Sequence, residues 1–317
     1  MLNRLALYTI GHVFWHARHG QPSGLLIHCG QELNMKIFVY GANGMVGHSL
    51  VENLLAAGHE VFAGTRNPDA GKKASGLTWT SADAVKPELG LEVLEKVDRA
   101  FFISPPGFTD QYKILGPWLE KAKSVKLGKF VLMTAMGVEH APPEAPFRKL
   151  ELAVESSGLN WNILRPNWFM QNFQTFWIGG ILKDKKIYFP GGQAKASFID
   201  ARDIAASAAA LLLKDDQKNK ALNITGPAAV SHDEVAAILS SATGLSISYA
   251  DITPEDFKAG LLSGGVPADY ADFLVYIAGA LKDGHASAVL ATVKEITGKP
   301  PITFEQYAKD NAKAWSG

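Results

Sequence analysis

The chain of 317 residues is long enough for one large α/β domain or for a domain with a smaller lobe. Basic and acidic residues number 31 each, and this balance gives no electrostatic footprint for nucleic acid or an anionic membrane. The single cysteine, Cys29, excludes an internal disulfide, and the apolar runs are too short for a membrane span. We therefore expect a cytoplasmic protein, monomeric or homodimeric, that acts on a small molecule without a metal.

The first segment of the chain, residues 1–34, has a composition of its own. It holds four of the nine histidines and one acidic residue, Glu32. We interpret it as an N-terminal extension outside the fold: a disordered tail, a targeting segment, or the product of a start codon upstream of Met35.

From Met35 onward, runs typical of strands alternate with runs typical of helices. Strands are predicted at 36–40, 60–65, 77–81, 100–104, 129–134 and 160–164, and helices at 44–57, 111–125 and 147–157. Such alternation indicates parallel crossovers, and hence an α/β fold with a doubly wound parallel sheet of the Rossmann type over residues 35–165. The remainder, 166–317, is predicted to form a smaller, mostly helical substrate lobe, with about 198–227, including a helix predicted at 204–213, returning to the sheet.

A glycine motif, Gly41-Ala-Asn-Gly44-Met-Val-Gly47, joins the first predicted strand to the first helix. Gly41 allows the tight turn, Gly44 lets the backbone approach a pyrophosphate, and Gly47 lets the helix pack closely on the strand. The helix N-terminus adds unpaired N–H groups and a positive dipole end. A dinucleotide site is therefore predicted in this loop, formed by Gly41, Asn43, Gly44, Met45, Val46 and Gly47.

The end of the second strand indicates which dinucleotide binds. Folds that prefer NAD place an acidic residue here for the ribose 2′-hydroxyl, whereas this chain has Arg66. A guanidinium can form two charged hydrogen bonds with a 2′-phosphate, so NADPH is favoured over NADH; the alternative is a solvated surface arginine. Asp83, after the third strand, could accept a hydrogen bond from the adenine amino group or could cap a helix.

Two further segments follow strands and face the edge where such sheets bind ligands. Ser104 and Pro105 come after the fourth strand, and Thr134 ends the fifth. We expect them to line the ribose and nicotinamide, although proline and glycine also serve as ordinary turn residues. Residues 35–165 are therefore predicted to be the NADP-binding domain.

Together these motifs resemble the NmrA-like family of atypical short-chain dehydrogenases. The matching segments are the glycine motif, Thr65-Arg-Asn-Pro68, Ser104-Pro-Pro106 and Leu164-Arg-Pro-Asn-Trp-Phe-Met170. The stretch from Arg165 to Phe173 is particularly similar to the festuclavine dehydrogenases and their bacterial relatives. Because the family includes quinone, azo-dye and triphenylmethane-dye reductases and also redox-sensing regulators, the resemblance implies NADP binding more firmly than one reaction.

One expected residue of the short-chain dehydrogenases is missing. In their Tyr-x-x-x-Lys pattern the tyrosine protonates the carbonyl oxygen; here Lys149 matches the lysine, and Ala145 stands four residues earlier. Thr134 is the nearest hydroxyl after the fifth strand, and His140 is a possible proton donor in the following loop. We take Lys149, Thr134 and His140 as catalytic candidates; Lys149 is also expected to hold the nicotinamide ribose.

Without that phenol the chemistry is constrained. A ketone reduced by hydride becomes an alkoxide that needs an acid, whereas an iminium, a dye cation or a quinone needs mainly orientation in a dry pocket. Trp168, Phe169 and Phe173 are predicted to form an aromatic wall for a flat substrate, and ordinary core packing is the alternative. The sequence thus predicts an NADPH-dependent reductase of planar conjugated acceptors or, as a second hypothesis, a non-catalytic NADP sensor.

Overall fold

The computed structural model describes residues 34–71 and 73–316, so the predicted N-terminal extension lies outside the described residues except for Asn34. The strands are β1 (Lys36–Val39), β2 (Glu60–Thr65), β3 (Leu77–Ser81), β4 (Arg99–Ile103), β5 (Lys129–Met133), β6 (Trp161–Pro166), β7 (Lys186–Phe189), β8 (Lys195–Ala196), β9 (Lys220–Ile224), β10 (Val230–Ser231) and β11 (Ser248–Asp251).

Helices connect and cover these strands. They are α1 (Met45–Ala56), α2 (Gln111–Ser124), α3 (Pro146–Glu155), α4 (Ile178–Asp184), α5 (Ala201–Leu213), α6 (His232–Thr243), α7 (Pro254–Ser263), α8 (Ala268–Lys282), α9 (Thr292–Thr297) and α10 (Phe304–Asp310). Throughout residues 34–71 and 73–316, no helix combines the length and apolarity that crossing a bilayer requires.

The main sheet has seven strands in the order β3-β2-β1-β4-β5-β6-β9, and all of its pairings are parallel. The chain moves outward from β1 to β3 and then crosses back to β4 beside β1. At that reversal the connections that leave the carboxyl ends of β1 and β4 run to helices on opposite faces of the sheet, which is the arrangement that forms a ligand-binding crevice in such sheets. The predicted Rossmann-type sheet is confirmed.

Alternating side chains of the sheet supply two separate cores. Ile37 and Val39 face a layer formed by α1, α5 and α9, whereas Phe38 faces a layer formed by α2 and α3. On the second side the ring of Trp118 from α2 stacks on Phe38, with centroids 5.1 Å apart. Helices on both faces therefore bury the central strands completely, as a parallel sheet requires.

The predicted return of 198–227 to the sheet is observed, because β9 pairs with β6. The intervening helix begins earlier than predicted, at Ala201 rather than near 204. The carboxylate of Asp200 accepts a hydrogen bond from the Arg202 amide and caps the helix there.

The remaining residues form the smaller lobe. Helices dominate it, as predicted, but β8 pairs with β10 and β7 with β11, and the sequence analysis did not predict these two short sheets. Its core is rich in aromatic rings, among them Phe173, Phe189, Phe198, Phe304, Tyr307 and Trp315. The lobe thus has a hydrophobic core of its own, and this core extends to the carboxyl end of β6.

A histidine lies at the centre of this aromatic core. His232, the first residue of α6, is fully buried, and its ring stacks on Phe189 at 4.7 Å and on Tyr249 at 5.2 Å. Neither ring nitrogen has a hydrogen-bond partner among the described residues. Burial lowers the pKa of His232 to about 4, although the nearby Asp251 opposes this shift, so the ring is neutral at physiological pH.

This burial predicts an acid-sensitive fold. Between pH 6.5 and 4 the unfolded chain binds a proton at His232 that the folded chain does not, so stability falls as pH drops through that window. The loss attributable to this group is about 3 kcal/mol. We expect His232→Phe to show a shallower fall in urea unfolding free energy between pH 7 and 4. His285→Phe, at an exposed ring, is the control; identical slopes for both variants would contradict the prediction.

Candidate functional site

The glycine loop has the conformation that a dinucleotide site needs. Gly41 has φ of +78°, and a Cβ atom there would lie 2.7 Å from Cγ2 of Ile103. A Cβ atom on Gly47 would collide with the carbonyl oxygen of Gly41. Both positions therefore require glycine, one for the turn and the other for the close packing of α1 on β1.

The N-terminus of α1 offers free backbone donors. The Gly44 amide bonds to the carbonyl of Gly41 at 3.0 Å, and the first bond back to the helix start joins the His48 amide to the carbonyl of Gly44 at 2.8 Å. The amides of Met45 and Val46 precede that bond, so they remain available to an anion. This geometry fits a diphosphate, with the Val46 side chain buried beneath it.

Arg66 follows β2 and is exposed. Its guanidinium has no hydrogen bond or ion pair with any of the residues that the structure describes. The neighbouring Thr65 hydroxyl accepts a hydrogen bond from Nδ2 of the Asn43 side chain at 2.7 Å, which ties the end of β2 to the glycine loop. The arginine is therefore free to bind a phosphate beside that loop.

Asp83 has a local structural role. Its carboxylate accepts a hydrogen bond from the Val85 amide at 2.9 Å, which forms a turn after β3. Asp83 is not the cap of any helix among the described residues, and its hydrogen bond with the adenine amino group stays a prediction. Ser104 and Pro105 follow β4 and are half-buried at its carboxyl end, and their contact with the ribose and nicotinamide stays a prediction.

A cavity with aromatic walls, of about 280 Å³, opens at the carboxyl ends of β5 and β6. We call it the aromatic cavity. Trp168 and Phe169, two of the three predicted substrate residues, lie in its wall. The other rings that line it are Phe147, Phe176, Trp177, Phe189, Phe257, Tyr270 and Phe273.

A second cavity, of about 440 Å³, adjoins the first and is called the loop cavity because the 137–146 loop forms one side of it. Met136, Phe147 and Trp168 belong to the walls of both cavities. The exposed His140 lines the loop cavity and not the aromatic one, so it lies apart from the apolar space predicted to take a flat substrate.

A buried ionic cluster lies under the aromatic cavity. Glu151, fully buried on α3, accepts hydrogen bonds from the Thr134 hydroxyl at 2.6 Å and from Nε and Nη2 of Arg165 at 2.8 and 2.6 Å. Arg148 donates a further bond at 2.9 Å. The Thr134 proton is thus engaged by a carboxylate, so the structure gives this catalytic candidate a structural role instead.

A second carboxylate completes the cluster. Burial raises the pKa of Glu139, but hydrogen bonds from the Asn223 side chain and the Gly137 amide, together with the charge of Arg165, outweigh burial and hold it below its usual value. Glu139 is therefore ionised at neutral pH, and its bond to Asn223 at 2.6 Å links the 137–146 loop to β9.

Lys149 is exposed on α3, and its ammonium lies 4.2 Å from the centroid of the Tyr112 ring on α2. This cation–π contact holds the lysine at the sheet edge near the loop cavity. Ala145, four residues earlier, has no hydroxyl, so the helix itself supplies no phenol beside the lysine.

Phe173 departs from its predicted role. Its side chain is fully buried in the lobe core, where it contacts Trp177, Phe198 and Phe304, and it does not line the aromatic cavity. The chain turns after β6, so Trp168 and Phe169 face the cavity whereas Phe173 points into the lobe. The core-packing alternative therefore holds for this one residue.

Asn167 anchors the cavity wall. Its side-chain amide donates to the Ser197 hydroxyl and to the carbonyl of Ala286, both at 2.7 Å, and its oxygen accepts from the Trp168 amide at 2.9 Å. The segment after α8 is thereby tied to the end of β6. Sequence reasoning missed this residue and also the cavity-lining Phe257, Tyr270 and Phe273, which lie roughly a hundred residues further along the chain.

The sequence profile of the NmrA-like family matches residues 34–298. The chain belongs to the NmrA-like family. The resemblance inferred from the motifs is thus confirmed over most of the chain.

Relatives of this NmrA-like protein include several reductases. The NAD(P)H azoreductase of Xenophilus azovorans is 32% identical over 287 residues, covering 88% of this chain and 99% of the relative. The agroclavine dehydrogenase of Claviceps fusiformis is 28% identical, covering 89% and 99%. The NADPH-dependent quinone oxidoreductase QOR2 of Escherichia coli, solved with NADPH, shares the fold with a TM-score of 0.76 at 22% identity, over 87% of this chain and 99% of that one.

The ionic cluster generates a stability prediction for this NmrA-like protein. Glu151→Gln removes the charge that Arg165 and Arg148 share, and we expect a loss of about 3 kcal/mol or more, because a buried guanidinium would lose its partner. Thr134→Val removes one hydrogen bond from a carboxylate that keeps both guanidiniums, at about 1–2 kcal/mol. Urea unfolding measures both; equal losses would show that the charge of Glu151 contributes nothing beyond its hydrogen bond.

Proposed function

We propose that the protein is an NADPH-dependent reductase of planar conjugated acceptors, of the quinone, azo, imine or dye type. The observation that carries this proposal is the aromatic cavity at the carboxyl ends of β5 and β6, on the sheet edge that also bears the glycine loop. NADPH, when bound, supplies a hydride. The protein's part is to bind the cofactor, orient the acceptor and keep water out.

The cofactor half of the proposal is supported by the fit of the loop to a dinucleotide. Glycine is required at 41 and 47, the amides at the start of α1 are free, and the exposed Arg66, which follows β2 beside that loop, suits a 2′-phosphate. The relatives named for NAD(P)H and NADPH support the same choice. Lys149, held on the Tyr112 ring, is proposed to contact the nicotinamide ribose.

The acceptor half is supported by the chemistry of the cavity wall. Stacked and edge-on rings favour a flat conjugated ligand, and Trp168 and Phe147 belong to the walls of both cavities. Position 145, where a short-chain dehydrogenase would carry tyrosine, is alanine. Acceptors that spread the incoming charge over a ring system suit such a site better than simple ketones do. An apolar cavity of this kind favours the reductase over a sensor without catalysis.

Turnover tests the proposal directly. We expect purified protein to oxidise NADPH in the presence of a quinone, an azo dye or a triarylmethyl dye. The loss of NADPH absorbance measures the rate. Trp168→Leu removes a stacking ring, and kcat/KM for the accepted class is expected to fall about tenfold. The loss should appear chiefly in KM, since Trp168 orients the acceptor.

Trp161→Leu is the matched control, because Trp161 begins β6 at the opposite end of the strand from the cavity. It should leave KM unchanged while affecting stability to a similar degree. If no acceptor class is turned over, the proposed function is wrong. If KM rises equally in both tryptophan variants, the aromatic cavity is not the acceptor site.

Cofactor preference gives a separate prediction. Arg66→Ala is expected to weaken NADPH binding by on the order of 1.5–3 kcal/mol, because a bidentate charged contact to the 2′-phosphate is lost. NADH lacks that phosphate, so its affinity should stay within about threefold. Calorimetric titration of wild type and variant with both nucleotides measures this; a parallel loss for the two nucleotides would rule out a role for Arg66 at the phosphate.

A further inference from the structure

The aromatic cavity contains a phenol from an unexpected part of the chain. Tyr270, in the first turn of α8, lines this cavity together with Thr134, Met136 and Asn167 at the ends of β5 and β6. Its ring packs against Phe273, with centroids 5.9 Å apart. A tyrosine is thus part of a cavity wall that otherwise consists mainly of hydrocarbon side chains.

The start of α8 is held against the loop that follows β4. The Thr109 hydroxyl donates a hydrogen bond to the carboxylate of Asp269 at 2.9 Å, next to Tyr270 in sequence. The Gly107 backbone amide, in the same loop, is near enough to the Tyr270 oxygen to lower the pKa of the phenol. Burial raises the pKa of Tyr270 more than this amide lowers it, so the phenol is protonated at neutral pH.

The other polar groups in the cavity wall are poorly suited to proton donation. The Thr134 hydroxyl donates its hydrogen bond to Glu151, and the side-chain amide of Asn167 donates hydrogen bonds to Ser197 and Ala286. Asn172 also lines the cavity, but a carboxamide is not an acid in this pH range. Tyr270 donates to none of the residues in the described part of the chain, so its proton is available to a ligand.

Resting on the proposed reductase function, we propose that Tyr270 is a catalytic residue that gives its phenolic proton to the reduced acceptor. It would take the part of the tyrosine that is absent at position 145, from a helix more than a hundred residues further along the chain. The substrates that depend on it are neutral acceptors, quinones and azo compounds, rather than cationic dyes.

The step balances in atoms and electrons. The acceptor gains a hydride, which is two electrons and one proton, while NADPH is oxidised to NADP⁺. In a neutral acceptor the electron pair then resides on an oxygen or nitrogen; the O–H bond of Tyr270 breaks and a new O–H or N–H bond forms there. The phenolate faces the Gly107 amide, which stabilises its charge, and recovers a proton from water.

A cationic acceptor needs no such proton. When a triarylmethyl cation gains a hydride, the product is neutral and complete. Comparison of neutral and cationic acceptors therefore separates proton donation from any general effect on the cavity, because both classes use the same cofactor and the same aromatic walls.

The experiment compares wild type with Tyr270→Phe, which keeps the ring and removes the hydroxyl. We expect kcat for a quinone and an azo dye to fall about 100-fold, the usual size of a general-acid contribution, with KM little changed. For a cationic triarylmethyl dye kcat should stay within about threefold. Tyr188→Phe, on β7 and outside both cavities, is the matched loss of a hydroxyl and should match wild type with every acceptor.

A binding measurement provides a readout that does not depend on turnover. Trp168 and Trp177 line the cavity, so acceptor binding in the presence of NADP⁺ should quench their fluorescence. Wild type and Tyr270→Phe should give dissociation constants within about threefold and similar thermal midpoints, which would show that the cavity is intact.

Three results would overturn the inference. If Tyr270→Phe reduces quinones at the wild-type rate, or loses equal activity with neutral and cationic acceptors, Tyr270 is not the proton donor, although the proposed function stands. If wild type reduces no acceptor, the proposed function falls and the assignment of Tyr270 falls with it.

Discussion

The site depends on the hydrogen bonds and ion pairs of one buried carboxylate, that of Glu151. It joins α3 to the ends of β5 and β6 through Thr134 and Arg165, inside a region that water does not reach. Two guanidiniums compensate its charge, so the cluster is stable only with all partners in place. Because Thr134 and Arg165 stand at the ends of adjacent strands, this cluster sets the floor above which the aromatic cavity opens.

Around that floor, the sheet and the lobe contribute different properties. The sheet provides groups fixed by backbone geometry: the glycine loop, the free amides of α1 and the strand ends. The lobe provides rings, from the segment after β6 and from α7 and α8. Asn167 couples the two, since it bonds to both Ser197 and Ala286 and thereby fixes the lobe at the end of β6.

Local sequence was sufficient for the Rossmann-type sheet and its order of elements. Hydrophobic periodicity, glycine stops and the spacing of the motif act within one strand and helix, and these positions agree with the structure to within a few residues. The errors have local causes as well. The start of α5 was missed because Asp200 caps the helix four residues before the apolar run that begins at Ile204, and the short strands of the lobe were missed because two to four residues carry no clear alternation.

The site residues divide in the same way. The sequence by itself determined the glycine turn, the arginine after β2 and the family, because each depends on residues that are close neighbours in the chain. Only the tertiary structure decided that Phe173 belongs to the core whereas Trp168 faces the cavity, and that Thr134 bonds to Glu151. It also brought Tyr270 from α8 to the edge of the sheet. Contacts between residues more than a hundred positions apart leave no local pattern in the sequence. An aromatic residue in a core and one that lines a cavity occur in segments of the same composition and spacing.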